Sequence, residues 1–290
     1  MREYVILTDS CCDLSDQMAK DLALQVIPMS LVMDGREYLN YLDGREIGFH
    51  EFYETVRGGS LPTTSAINVG TFEETMRPIL ESGKDILYLG FSSGLSTTYQ
   101  SACIAADGLR EEFPDATILI VDTLAASMGQ GLLVYLCAQQ KQAGKTIDEV
   151  RAYAEEIKLK ICHWVTVDDL NHLKRGGRIS TATALVGSML AIKPIIHVDN
   201  EGHLVNVGKA RGRKTSLTTL ADEMEKRAID PAAQTVFISH GDCEEDAKFV
   251  AEEVHKRTGA EVKLISYVGP VIGSHTGAGV VALFFVGTQR

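Results

Sequence analysis

The sequence predicts an α/β protein in two parts, an N-terminal domain on a parallel sheet and a C-terminal domain on a mixed sheet. Three observations predict it. Short β-branched runs alternate with segments of helical period through the first half. Strand–helix–strand order of that kind gives a parallel sheet with right-handed crossovers. The second half instead sets a hairpin among its helices, and a chain of 290 residues that is 45% hydrophobic lies near the size at which one core divides in two. The division falls at about residue 160, giving domains 1–160 and 161–290.

The elements follow in order. Tyr4 to Leu7 is a strand ending in the polar turn Thr8-Asp9-Ser10, and a short helix with Leu14, Met18 and Leu22 on one face comes next. Val26 to Met33, the Asp34-Gly35 turn and Arg36 to Leu39 read as a hairpin. Phe49, Phe52, Tyr53 and Val56 mark a helix closed by Gly58-Gly59. Pro62-Thr63-Thr64-Ser65 reads as a polar loop, and the helix after it places Phe72, Met76, Ile79 and Leu80 on one stripe before Gly83. A strand at 86–91, a helix from Thr97 to Leu109, a strand from Thr117 to Val121 and a long apolar helix from Ala125 to Gln142 continue the alternation. Thr146 and Glu149 form a capping box for a helix to about residue 160.

Beyond that point His163 to Val167 is a strand and Leu185 to Ile192 a helix, while Ile195 to Val198 pairs with Leu204 to Val207 across Asp199-Asn200-Glu201-Gly202. Helices at about 215–228 and 244–257 alternate with strands at 235–239, 261–267 and 280–286.

Composition excludes several classes of function. The 39 acidic residues outnumber 28 basic ones, for a formal charge of −11, and no Lys/Arg run resembles a phosphate-tracking stripe. Nucleic acid and anionic membrane surfaces are therefore poor partners. The longest apolar stretches, such as 280–286, fall far short of the ~20 residues a membrane-spanning helix needs. The N-terminus enters a strand directly, without the pattern of an export signal, and the expectation is a soluble, cytoplasmic protein. Six cysteines without a C-x-x-C pair indicate neither a zinc site nor a disulfide framework, and Cys11-Cys12 reads as two packed thiols rather than a redox pair.

Residues 90–96, GFSSGLS, contain Gly90, Ser92 and Gly94 in the G-x-S-x-G pattern of a serine hydrolase elbow. Asp122 and then His240 or His275 would complete the chain order of a triad. Too few strands precede the motif for that fold, however, and no HGGG-like oxyanion loop is present. The same hydroxyls suit a second role: Ser96 and Thr97 stand where a strand passes into a helix, so free N–H groups and the helix dipole favour an anion there. Ser96 as an ordinary helix cap explains the same spacing. Lys174-Arg175-Gly176-Gly177-Arg178 and the glycine-rich stretch 269–279 around His275 are two more polar loops of this kind. A small-anion or sugar-phosphate sensor would use the same turns.

The opening ILTDSCCDLS, VIPMSL, TTSAINVGTFEE, FSSGLSTTYQSA, KRGGRIS with KPII, and GPVIGSHTGAGVVALFF together resemble the DegV family over nearly the whole chain, in order. These are fatty-acid-binding proteins that serve as the carrier subunit of bacterial fatty acid kinase. The resemblance implies two α/β domains with one long-chain fatty acid, such as palmitate, between them and its carboxylate held by hydroxyls. It carries the head-group role to Thr64, Ser96 and His275, and the face toward a partner or phosphoryl group to Arg178. It further implies no catalytic group, cofactor or metal in this chain, and an ATP-dependent fatty acid kinase catalytic subunit as partner. Two departures stand out: TSAIN where many relatives have TSQP, and LSTTY where they have LSGTY, which puts the Thr97 side chain where glycine would let backbone approach the head group. The competing reading remains a lipid-ester hydrolase acting through Ser92.

Overall fold

The computed structural model describes residues 2–180 and 192–290. In the N-terminal half the chain runs through β1 (Tyr4–Asp9), α1 (Asp16–Asp21), β2 (Gln25–Ile27), β3 (Met29–Met33), β4 (Arg36–Asn40) and α2 (Phe49–Arg57). It continues through β5 (Thr63–Ser65), α3 (Val69–Glu81), β6 (Asp85–Gly90), α4 (Thr98–Glu112), β7 (Ile118–Asp122), α5 (Met128–Gln142) and α6 (Ile147–Ile157). β2, β1, β6 and β7 form a four-stranded parallel sheet in that order. β6 is buried at every position, as expected of a central strand covered on both faces.

Two expectations for this half are corrected. The run Val26 to Met33 is not one hairpin strand: it breaks at Pro28, which has no N–H for a ladder, and its two pieces serve different sheets. β2 joins the parallel sheet, while β3 pairs antiparallel with β4 around Asp34-Gly35, both at positive φ. Residues 63–65 are not a loop but the strand β5, which completes the small sheet β4-β3-β5 with Leu31 opposite Thr64.

The C-terminal half comprises β8 (Ile161–Thr166), α7 (Asn171–Arg175), β9 (Ile192–Val198), β10 (Leu204–Arg211), α8 (Arg213–Arg227) and β11 (Val236–His240), then α9 (Glu244–Thr258), β12 (Val262–Tyr267), α10 (Pro270–Thr276) and β13 (Val281–Val286). The helix expected at 185–192 lies outside the described residues except for Ile192, which opens β9. The six strands are ordered β10-β9-β8-β13-β11-β12, antiparallel throughout except for the parallel pair β11/β12. The sheet is therefore mixed.

The stretch 269–279 is also corrected, because within it Pro270–Thr276 is the helix α10 rather than a glycine loop. Pro270 occupies the first helical position, where a missing N–H costs nothing. Gly273 lies inside because a Cβ there would stand 2.7 Å from the Phe52 ring and from the Tyr53 hydroxyl, so this helix packs directly on α2.

Helix α5 explains how the halves meet. It is buried from Met128 through Val134, and Leu132, Leu133 and Cys137 share one apolar cluster with Ile6, Leu87 and Val121 of the first sheet and Phe237 and Phe284 of the second. An apolar surface all round is what a helix covered by two sheets requires. Arg290 adds a polar clasp: its guanidinium donates to the carbonyls of Leu124, Lys158, Ile161 and Asp199.

Candidate functional site

A cavity of about 470 Å³ opens between the two sheets, within the range of about 300–1,000 Å³ usual for ligand pockets. Its walls are largely apolar and come from both halves: Phe91 and Leu95 from one, Val165, Ile196, Val268 and Phe284 from the other. Thr64, Ser96, Arg178 and His275 line it too.

These four belong to one connected cluster. Thr64 Oγ1 lies 2.8 Å from His275 Nε2. The Arg178 guanidinium donates to the carbonyl of Gly176, and its Nε to that of Leu95, the neighbour of Ser96, at 3.2 Å. Gly176 in turn packs on the His275 ring, where a Cβ would stand 2.2 Å from Nδ1; glycine is what allows the contact. Ser96 Oγ accepts the Thr98 N–H at 3.2 Å and lies 2.9 Å from Thr98 Oγ1, which accepts the Ile67 N–H at 3.3 Å. The loop after β5 and the turn before α4 are thereby tied together. Thr97, not Ser96, occupies the cap position of α4, with an ordinary φ of −78°. Threonine stands there without backbone strain.

The electrostatics favour an anion. His275 is held below the usual imidazole range, at about 4, by burial and by the neighbouring Arg178 and Arg175. It is neutral at physiological pH, within a positive field. Among the described residues its Nδ1 is buried without a partner. With the proton on Nε2, the tautomer that spares Nδ1 an orphaned N–H, His275 donates to Thr64 Oγ1 and leaves the Thr64 hydroxyl proton for the cavity.

The triad that the competing hydrolase reading needs does not assemble. Ser92 is fully buried, and its hydroxyl donates to the carbonyl of Gly202 at 2.9 Å while accepting the Gly94 N–H. Asp122 takes the N–H groups of Ser93 and Leu124, His240 Nδ1 that of Cys243, and His275 faces Thr64. Both glycines of the motif serve close packing instead. A Cβ on Gly90 would meet the Tyr88 ring, and one on Gly94 would stand 2.8 Å from the Glu201 carbonyl in the β9–β10 turn. Ser92 therefore seats that hairpin tip on the N-terminal half.

Thr8-Asp9-Ser10 is structural as well. Thr8 donates to the Leu89 carbonyl, Ser10 accepts the Met29 N–H, and the Asp9 carboxylate takes the Phe91 N–H and the Tyr88 hydroxyl. Cys11 and Cys12 are buried free thiols, raised by burial.

Three residues at or beneath the cavity carried no sequence signal. His163 lines it as a neutral ring pushed well down by burial, with Nδ1 facing the Ile161 carbonyl and Nε2 accepting the Ala126 N–H. Ser127 donates to the buried Asp13, which also accepts the Gly269 N–H at the head of α10. No spacing rule relates positions 13, 127 and 269.

A profile of the DegV family, described as uncharacterised proteins, matches residues 3–288. A DegV domain-containing protein of Clostridium perfringens is 49% identical over 290 residues, covering 100% of this chain and 99% of that protein. Among solved structures, a Thermus thermophilus DegV family protein described by its fatty acid binding superposes with a TM-score of 0.86 at 31% identity, covering 99% of this chain and 100% of that one. A DegV lipid-binding protein of Thermotoga maritima superposes at 0.88 with 27% identity, 99% of each chain covered. The architecture and the whole-length match define an α/β protein with a parallel-sheet N-terminal region and a mixed-sheet C-terminal region. The chain belongs to the DegV family.

Proposed function

We propose that this protein binds one long-chain fatty acid, such as palmitate, non-covalently, with its tail between the two sheets and its carboxylate on the hydroxyls of Thr64 and Ser96. The observation that carries this is the apolar cavity lined from both halves, with two hydroxyls, a neutral imidazole and an arginine joined in one cluster beside it. The fatty acid binding described for the Thermus thermophilus relative supports it. Burying ~15 methylenes at ~0.8 kcal/mol each contributes on the order of 12 kcal/mol before ordering costs, so the tail dominates affinity. The head group selects position, since a carboxylate cannot enter an apolar slot without donors.

In this proposal His275 acts through Thr64, and Arg178 supplies positive potential beside the head group. The chain does no chemistry on its ligand: a separate ATP-dependent kinase subunit phosphorylates the presented carboxylate in the cytoplasm, with Arg178 facing that partner or the phosphoryl group. The test is denaturing solvent extraction of freshly purified protein followed by lipid mass spectrometry. A stoichiometric long-chain fatty acid is expected; its absence, together with failure to bind added palmitate, refutes the proposal. Fluorophosphonate labelling that vanished in Ser92→Ala would restore the hydrolase.

A further inference from the structure

We infer that Thr98 sets the polarity of the head-group site, by holding the Ser96 hydroxyl as a pure hydrogen-bond donor, so that the Ser96 side of the site favours acceptor-only head groups. The inference rests on the fatty-acid proposal above and concerns which head groups are admitted.

Thr98 is fully buried, at 0% exposure. Its Oγ1 accepts the Ile67 N–H, so its own proton needs an acceptor, and a buried hydroxyl proton without one costs about 1–3 kcal/mol. Among the described residues the acceptor in reach is Ser96 Oγ, at 2.9 Å. Ser96 Oγ also accepts the backbone N–H of Thr98, at 3.2 Å. A hydroxyl has two lone pairs and one proton. With both lone pairs of Ser96 taken by Thr98, its proton is the one function left to offer the cavity. Thr64 differs in part: its Oγ1 accepts the His275 N–H and keeps its proton for a ligand, with one lone pair left over.

The result is two hydroxyl donors beside a positive field from Arg178 and Arg175, with a neutral imidazole behind them. A carboxylate, which only accepts, satisfies both. A primary amide of the same chain length brings N–H donors, and Ser96 has no lone pair to receive one. Thr98 does not touch the ligand; it is a positioning residue that acts through Ser96.

The experiment compares palmitate with palmitamide by competitive displacement of a fluorescent fatty acid, in the full-length protein. Thr98→Val removes the hydroxyl and keeps the shape, which frees one lone pair of Ser96. The acid-to-amide affinity ratio should fall roughly fivefold, the size of the one neutral hydrogen bond the amide gains, and Thr98→Ser should restore it. In a Ser96→Ala background Thr98→Val should change the ratio no further, because the two act as one unit. Thr98→Cys, similar in size and a weak donor, provides the same comparison should valine prevent folding. A ratio unchanged in both variants, or losses that add in the double mutant, overturns the role of Thr98 while leaving fatty acid binding intact. Failure of the unmodified protein to bind palmitate overturns the function proposed above instead.

Discussion

Replacing Asp13 by asparagine should stabilise the protein increasingly as pH rises. Asp13 is buried at a left-handed position, φ 51°, with one carboxylate oxygen accepting the Ser127 hydroxyl at 2.6 Å and the other the Gly269 N–H at 3.0 Å. Burial pushes its pKa up from 3.8 to about 7, against the pull of those two bonds and with a further push from Asp9. Between these values the folded state holds a proton that the unfolded chain has released, so stability falls as pH rises from about 4 through about 7 and then levels off. About three pH units at about 1.4 kcal/mol each set an upper bound of about 4 kcal/mol. Asparagine keeps the shape, tolerates the backbone angle and keeps an acceptor for Gly269, but cannot ionise. Urea denaturation of both proteins at pH 5 and pH 8.5 measures the difference. The advantage of asparagine should be larger at pH 8.5, by up to about 3 kcal/mol. An advantage equal at both values, or a variant less stable at pH 8.5, refutes the assignment of a buried, ionising Asp13.

Three other outcomes are expected. Thr64→Ala with Ser96→Ala should weaken palmitate binding by a few kcal/mol through two lost hydrogen bonds to a charged group, read by titration calorimetry; full affinity in the double mutant removes both residues from the head-group site. Gly202→Ala places a side chain at φ 80° with its Cβ 2.1 Å from Ser92 Oγ, and should destabilise the fold by about 2 kcal/mol or more; Ser92→Ala in the same chain should recover part of that loss in thermal denaturation, whereas purely additive losses would contradict the contact. Arg290→Ala should lower stability by about 3 kcal/mol by removing one donor from each of four carbonyls, and Arg290→Lys should rescue little, because one ammonium cannot match the guanidinium fork; full stability in Arg290→Ala would deny the clasp.

The parallel sheet was legible because β1, β6 and β7 are apolar runs separated by helices whose stripes recur every three to four residues. Pairing was less so. Nothing local distinguishes Val26–Ile27 from Met29–Leu31, and only tertiary contacts assign them to different sheets on either side of Pro28. β5 is three polar residues held by the edge of β3, and α10 is a helix despite its glycines because α2 demands a close approach; in both, packing overrides propensity. At the candidate site, residue types and their loops could be named from motif and resemblance. Their partners could not: Ser92 meets Gly202 across 110 positions, and Thr64 meets His275 across 211. The G-x-S-x-G spacing was real, but its cause was a docked hairpin.

The turn between β6 and α4 does two mechanical jobs within five residues. Ser92 and Gly94 fasten the tip of the opposite half, while Leu95 and Ser96 hold the arginine and face the cavity. Fastening and cavity wall are therefore one machine part, without a spacer between them. A shift of one half against the other would be transmitted to Ser96, so under the proposed function a ligand's residence would be geared to how firmly the two halves are bolted together.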